Sequence, residues 1–260
     1  MNALAVYVAK IRLAIRTSFS DRTNFFLQSL GMVINDGFFL VLWFMFFAGF
    51  RQVGGWGRND VALLLGLIMC IVAVSGVFFG GYRDMAATIL KGELDVLLTQ
   101  PKAVLPRLIA RESIASGWGD LIVGLILLAT VAELKPAQLP AAAVAFVSGA
   151  VVYLSSSIAY ASLAFWFSGA RSFARDLTDF MLLFSSYPGS IYTGTSKFVA
   201  YSILPAGFVV LTPVRFLRAP TLETFAVLLG SALCYLVLAL TLFYSGLARY
   251  RRGQVQAGMN

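Results

Sequence analysis

From Ser29 to Leu247 the chain is almost wholly occupied by apolar stretches of about 20 residues, separated by short basic connectors, which leaves no length for a water-soluble domain. With 59% hydrophobic and only 12% charged residues, a soluble fold of 260 residues would have to expose more apolar surface than globular proteins carry. The fold class expected is therefore an all-α integral membrane protein.

A bilayer core of about 30 Å needs about 20 helical residues at about 1.5 Å each. The pattern predicts six spans: Ser29–Phe50, Val61–Tyr82, Ser113–Glu133, Pro140–Phe167, a shorter one at Leu177–Ile191 closing on Tyr187-Pro188-Gly189, and Leu222–Leu247. A further apolar segment, Phe198–Leu217, is interrupted by Pro205 and Pro213. Counted as a crossing it separates the termini; counted as a dip it leaves both on one side. Charge chooses the dip. With six spans, 14 of the 20 Lys and Arg residues fall on the side of the termini, and only Arg51, Arg58, Lys135, Lys197, Arg215 and Arg218 on the other. The positive-inside rule then predicts both termini cytoplasmic and an external, re-entrant 192–219 region between spans five and six. Irregular backbone at membrane depth needs protein or a water-filled cavity beside it.

Positions 1–28 precede the first span. Leu4, Val8, Ile11, Ile15 and Phe19 recur at helical spacing, which predicts an amphipathic interfacial helix lying on the inner leaflet. Asp21 and Thr23 offer oxygens that start the following helix. These residues are basic and lack the apolar core and cleavage site of a signal peptide. The net charge of +8 follows the cytoplasmic span edges and forms no patch with interleaved aromatics, which argues against nucleic acid. Cys70 and Cys234 both fall within spans, where packing is their expected role. With no histidine, redox and zinc sites lose their commonest ligand and a membrane-embedded enzyme its commonest base, so no catalytic residue and no metal site is assigned.

The longest hydrophilic connector, 83–112, is cytoplasmic on this topology. Within it Ile89 to Pro101 reads as a short amphipathic helix, its start loosened by Gly92 and its continuation blocked by Pro101. Leu90, Leu94, Leu97 and Leu98 share one face, rimmed by Glu93 and Asp95, a form suited to a groove on a soluble partner or to packing on the protein's own span ends.

The run Gly92-Glu93-Leu94-Asp95-x-Leu97-Leu98-x-x-Pro101 resembles the cytoplasmic loop of the ABC-2 type permeases, small six-span transporter subunits. Tyr187-Pro188-x-x-Ile191-Tyr192, followed by Leu204-Pro205-Ala206 and Thr212-Pro213, is similar to the external region of that family; Gly194-Thr195-Ser196 departs from its bulkier helix start. The resemblance extends over the whole chain and implies one transmembrane domain over 1–260, the permease subunit of an ATP-binding cassette transporter in the cell membrane. It implies ATPase coupling through Gly92, Glu93, Leu94, Asp95, Leu97, Leu98, Gln100 and Pro101, and re-entrant half-helices in Phe198–Leu217.

What the chain lacks agrees with this. A phosphate-cradling loop needs a glycine-rich turn ending in Gly-Lys-Ser/Thr, and Gly194-Thr195-Ser196-Lys197 has the wrong order. The chain itself is then expected to bind no cofactor, with ATP and Mg on separate nucleotide-binding ATPase subunits, and to pair with a second copy or a related permease because alternating access moves one half against another. Export is the expected direction, since nothing suggests a docking site for an external binding protein. A hydrophobic or amphipathic solute is the expected cargo, for an aromatic-rich cavity lacking fixed charge.

Polar residues within spans are the remaining candidates. Asn35 and Asp36 interrupt span one, Asp120 sits about two turns into span three, and Tyr187, Pro188 and Tyr192 mark the external break. Each is assigned to a substrate path or subunit interface, with purely structural pairing as the competing account of the two aspartates. An ion-coupled secondary transporter using Asp36 and Asp120 is the alternative, although no internal repeat is visible. Ser155-Ser156-Ser157 and Gly76-x-x-x-Gly80 fit close helix packing.

Overall fold

The computed structural model describes residues 3–99 and 102–257 and is almost entirely helical. Helix α1 (Ala3–Ser18) precedes α2 (Arg22–Gly49), and a two-stranded hairpin, β1 (Gln52–Val53) and β2 (Trp56–Gly57), leads into α3 (Arg58–Phe79). Three short helices follow, α4 (Met85–Leu90), α5 (Asp95–Leu98) and α6 (Val104–Ile109), then α7 (Gly117–Thr130) and α8 (Leu139–Ser162). The remainder is α9 (Ala170–Ser185), α10 (Gly194–Tyr201), α11 (Thr212–Arg218) and the long α12 (Leu222–Ala257). Among the described residues four helical stretches are long and apolar enough to cross a membrane, Arg22–Gly49, Arg58–Leu90, Pro136–Phe165 and Leu222–Arg252, with the shorter apolar Gly117–Thr130 beside them. The protein is a helical membrane protein.

Helix α3 forms the centre, packing against α7 and α8, with α12 against the far side of α8 and α2 against α7. Its buried side chains run without polar interruption from Val61 to Ile71, the all-round apolarity of a helix enclosed by other helices. Lipid tails give no hydrophobic drive for helix association, so the contacts rely on close backbone approach. At Gly124 of α7 an added Cβ would lie 2.9 Å from Cys70 Sγ and 3.0 Å from the Gly66 carbonyl oxygen, closer than packed atoms allow. Ser155, Ser156 and Ser157 are buried where α8 meets its neighbours, and Ser156 and Ser157 donate to the carbonyls of Val152 and Tyr153 at 2.8 and 2.9 Å. Across the α8–α12 contact Ser148 donates to the Leu228 carbonyl at 2.9 Å. Helices α2 and α12 leave most of their apolar side chains outward. Cys70 is buried, Cys234 is exposed, and both are free thiols.

Several boundaries differ from the sequence expectation, each for a local reason. Span three starts at Gly117 and not Ser113: the Ile114 N–H donates to the Gly76 carbonyl of α3 at 3.1 Å, which ties the approach into a non-helical strap. Its 14 residues measure about 21 Å, shorter than the bilayer core. The fifth helix is Ala170–Ser185 and not Leu177–Ile191, because its first half carries polar side chains on one face and Pro188 follows its end. Phe198–Leu217 divides into α10, a π-helical turn at Gly207–Leu211 and α11, with Pro205 between the first two and Pro213 in the first turn of the last. In helix α1, Val8 and Phe19 of the stripe assigned to the leaflet are exposed, and Ala14 is buried. Asp21 alone caps α2, accepting from the Asn24 N–H at 3.0 Å.

The hairpin had no counterpart in the sequence reading. Gly54 and Gly55 both take positive φ, 52° and 83°, as its two-residue turn requires.

Candidate functional site

Asp36 and Asp120 come together. Gly119 lets α7 approach the α2 backbone at Ser29, and Ser29 donates to the Ala115 carbonyl at 2.9 Å, so the two helices run side by side with the next inward position of each occupied by a carboxyl. The two acidic side chains interact directly, and both residues are buried, 4% and 5% exposed. Asp120 lies in the first turn of α7, not two turns in, where the helix N-terminus favours negative charge. Arg83 is within electrostatic reach of Asp120. Asp36 has no such cation, and its Oδ2 is buried without a hydrogen-bond partner.

Both carboxyls line a cavity of about 520 Å³ whose walls include Asn35, Phe38, Phe39, Met69 and Ser186. Its wall is part aromatic and carries two carboxyls. The cavity opens along α2, where Phe38 is 73% exposed.

A second cavity of about 410 Å³ adjoins the end of the bundle that bears the 83–112 segment, and Leu182 lines both. Its walls carry Arg83, Arg171 and Arg175 among Asp84, Glu112 and Asp179, with Tyr82 and Tyr153 sharing a hydroxyl contact of 2.9 Å at its base. Arg171, Arg175, Thr178 and Asp179 are spaced at i, i+4, i+7 and i+8 along α9, so one polar stripe faces this space. In the sequence Arg83, Arg171 and Arg175 stand only among the 14 basic residues on the side of the termini. A polar stripe of helical period, ending at a proline, was the signal available for α9.

The 83–112 segment is built differently from the expected single amphipathic helix. Helix α4 ends at Leu90, and Gly92, at φ 75°, closes it: the Gly92 N–H donates to the Ile89 carbonyl at 3.2 Å and the Glu93 N–H to the Thr88 carbonyl at 3.1 Å. Gly92 thus terminates one helix where it was expected to loosen the start of another. Leu94 is completely buried, and Leu97 and Leu98 are half-buried in the protein's own core. The outward surface includes Lys91, Glu93, Asp95, Val96 and Thr99, with Val96 68% exposed and Leu90 at its margin. Gln100 and Pro101 lie outside the described residues.

Arg107, 1% exposed, holds this segment together from inside. Its guanidinium donates to the carbonyls of Ala103 at 3.2 Å, Lys102 at 3.0 Å and Leu97. No sequence signal marks this role, since the partners are backbone carbonyls. Tyr250, near the end of α12, donates to Asp95 Oδ1 at 2.8 Å and packs edge-on to Phe165.

Of the residues at the break after α9, Tyr187 lies against Trp43 and the cavity-lining Phe39, with ring centroids 6.1 and 6.5 Å apart. Tyr192 stacks on Phe184 and donates to its carbonyl at 2.7 Å, and Pro188 precedes a short 3-10 turn, Gly189–Ile191; neither lines the cavity. At that same end Arg218 of α11 lies 4.0 Å over the Trp56 ring and 2.8 Å from Asp60 of α3, which also accepts from the Gly57 N–H at 2.9 Å. Among the described residues no cluster of acidic or cysteine side chains has the form of a metal site.

The family profile described as ABC-2 family transporter protein matches residues 33–253. No curated protein and no solved structure matches the chain.

Proposed function

The chain belongs to the ABC-2 family of transporter proteins, and from that membership we propose that it is the membrane-spanning subunit of an ATP-driven exporter for an amphipathic solute. Transporters of this family pair with ATPase subunits. On our reading hydrolysis, with ATP and Mg, belongs wholly to those partners, and this chain is not itself an enzyme. The cell membrane holds it with six crossings, both termini cytoplasmic, α1 on the inner leaflet, and α10 to α11 dipping in from outside and returning. Two copies, or one copy and a related permease, enclose the translocation path between them.

The observation that carries this is the construction of the 83–112 segment. An element that transmits force must be stiffer than the connection it drives. Three carbonyls gathered on one buried guanidinium, a Gly92 closure and a clasp to Tyr250 of α12 provide that stiffness at the end of a helix measuring about 54 Å. The exposed corner of Glu93, Asp95 and Val96 is then the surface presented to the ATPase. Closure of the ATPase pair on nucleotide would push the two corners together, rock the spans they terminate and turn the cavity toward the outside.

The test is to substitute Val96→Arg and Glu93→Lys, leaving the Tyr250 clasp in place, and to measure copurification of the ATPase subunit and its cargo-stimulated hydrolysis. Both should fall at least tenfold with the permease still folded. Wild-type association and turnover would refute the docking assignment.

A further inference from the structure

We propose that the cavity between α2 and α7 binds a lipophilic monovalent organic cation, with the Asp36 carboxylate as its counter-charge. The inference rests on the export reading for its role as cargo site, but the site itself is argued from the geometry.

A carboxyl in hydrocarbon costs several kcal/mol unless a charge or a cavity meets it. Asp120 has two such provisions, the N-terminus of α7 and the field of Arg83. Asp36 lies mid-helix in α2, away from either terminus, and its Oδ2 has no partner although the residue is 96% buried from solvent by the 4% exposure that remains. Two carboxyls in direct contact hold one proton between them, and Asp36, with its unmet oxygen, belongs to the wall of an accessible space. An organic cation bound at this pair takes the place of that shared proton, which leaves to solvent.

The rest of the lining selects the body that carries this charge. Phe38 and Phe39 are in the wall, and aromatic rings attract cations more strongly once water is excluded. Leu42, Leu65, Ile68 and Val72 supply apolar wall with no further hydrogen-bond demand. A volume of about 520 Å³ falls within the roughly 300–1,000 Å³ of small-molecule sites and far exceeds the needs of a bare metal ion. Acceptors for a hydrated inorganic cation are also too few, with Asn35 and Ser186 the neutral polar residues of the lining. The opening along α2 gives onto the outer face of the bundle, so a solute dissolved in the bilayer enters sideways without passing through water.

The experiment uses the full chain in lipid nanodiscs without nucleotide, with empty nanodiscs as the partition control. Binding of tetraphenylphosphonium is compared with that of neutral triphenylphosphine oxide. The cation should bind at least tenfold more tightly to the wild type, and Asp36→Asn should bring it to the level of the neutral compound. Ser186→Trp, which fills the cavity without touching its charge, should abolish binding of both. Equal affinity for the two probes in the wild type, or undiminished cation binding in either variant, would overturn the site; the wild-type comparison decides the matter even if Asp36→Asn fails to fold. Because no ATPase takes part, a negative result leaves the ATP-driven reading intact, and that reading fails separately in the docking measurement.

Discussion

The Tyr250 hydroxyl donates to the Asp95 carboxylate at 2.8 Å, across 155 positions of sequence, and joins the last helix of the protein to its most outward corner. Helix α12 is thereby fastened at its far end to α5, while its apolar length packs on α8. Tyr250→Phe removes the hydrogen bond and keeps the ring against Phe165. A charge-assisted bond on an exposed pair contributes about 1 kcal/mol, so global stability should hardly change. Cargo-stimulated ATP hydrolysis should fall several-fold at unchanged ATPase association. Unaltered stimulation would show that α12 takes no part in transmission.

Arg107→Ala should be far more damaging, and for a local reason. Removing the guanidinium leaves the carbonyls of Leu97, Lys102 and Ala103 short of donors, at about 1–3 kcal/mol for each that stays buried. Hydrogen exchange of amides 94–109 should accelerate by a hundredfold or more, with α3 and α8 unaffected. Arg107→Lys should rescue only part of this, because one ammonium cannot reproduce a planar fork. Equal protection in the wild type and the alanine variant would refute the assignment of Arg107 as the organiser of the segment.

Gly92 supports the same corner through its backbone. At φ 75° an L side chain costs about 1–2 kcal/mol, so Gly92→Ala should destabilise the α4–α5 junction by that amount. An added methyl meets nothing closer than the Tyr250 hydroxyl at 3.6 Å, so steric conflict adds little. Gly92→Asn, which tolerates the left-handed region better, should be milder than alanine in thermal unfolding. The reverse order would mean that space, not conformation, governs the position.

What could be read without coordinates follows from how each feature is encoded. The apolar runs of α2, α3, α8 and α12 announce themselves because every residue contributes to hydropathy whatever its direction. Helix α9 was displaced by several residues because its polar stripe, Arg171 to Asp179, depresses the average over exactly the turns that line the 410 Å³ cavity. The hairpin has the Gly54-Gly55 pair as its one sequence signal, a weak mark beside the apolar blocks on either side. Asp36 and Asp120 could be named individually as costly residues, but their meeting depends on the register of α2 against α7, which Gly119 sets through a backbone contact. The Leu94 face stays open between two accounts for a related reason: an amphipathic stripe shows which side of a helix is apolar but not whether a partner or the protein's own span ends will cover it.

The Asp60–Arg218–Trp56 cluster ties the hairpin and the start of α3 to the end of α11, and its two parts can be separated experimentally. The ion pair, at 2.8 Å with both side chains 32% exposed, is screened by solvent and worth about 0.5–1 kcal/mol. The guanidinium over Trp56 at 4.0 Å contributes a similar amount, about 0.5–1 kcal/mol, through the ring face. Arg218→Lys keeps the charge and loses the flat surface, Asp60→Asn does the reverse, and Arg218→Ala removes both. The alanine variant should lose about 1–2 kcal/mol of stability and each conservative variant roughly half of that. Since Asp60 also accepts from the Gly57 N–H at the start of α3, Asp60→Ala should cost more than Asp60→Asn, which keeps an acceptor for that bond. High salt should weaken the Asp60 contribution and leave the Trp56 contribution nearly unchanged. Thermal unfolding in nanodiscs at low and high ionic strength measures both, and a salt-independent Asp60→Asn effect would show that this carboxylate acts as a helix cap and not as the partner of Arg218.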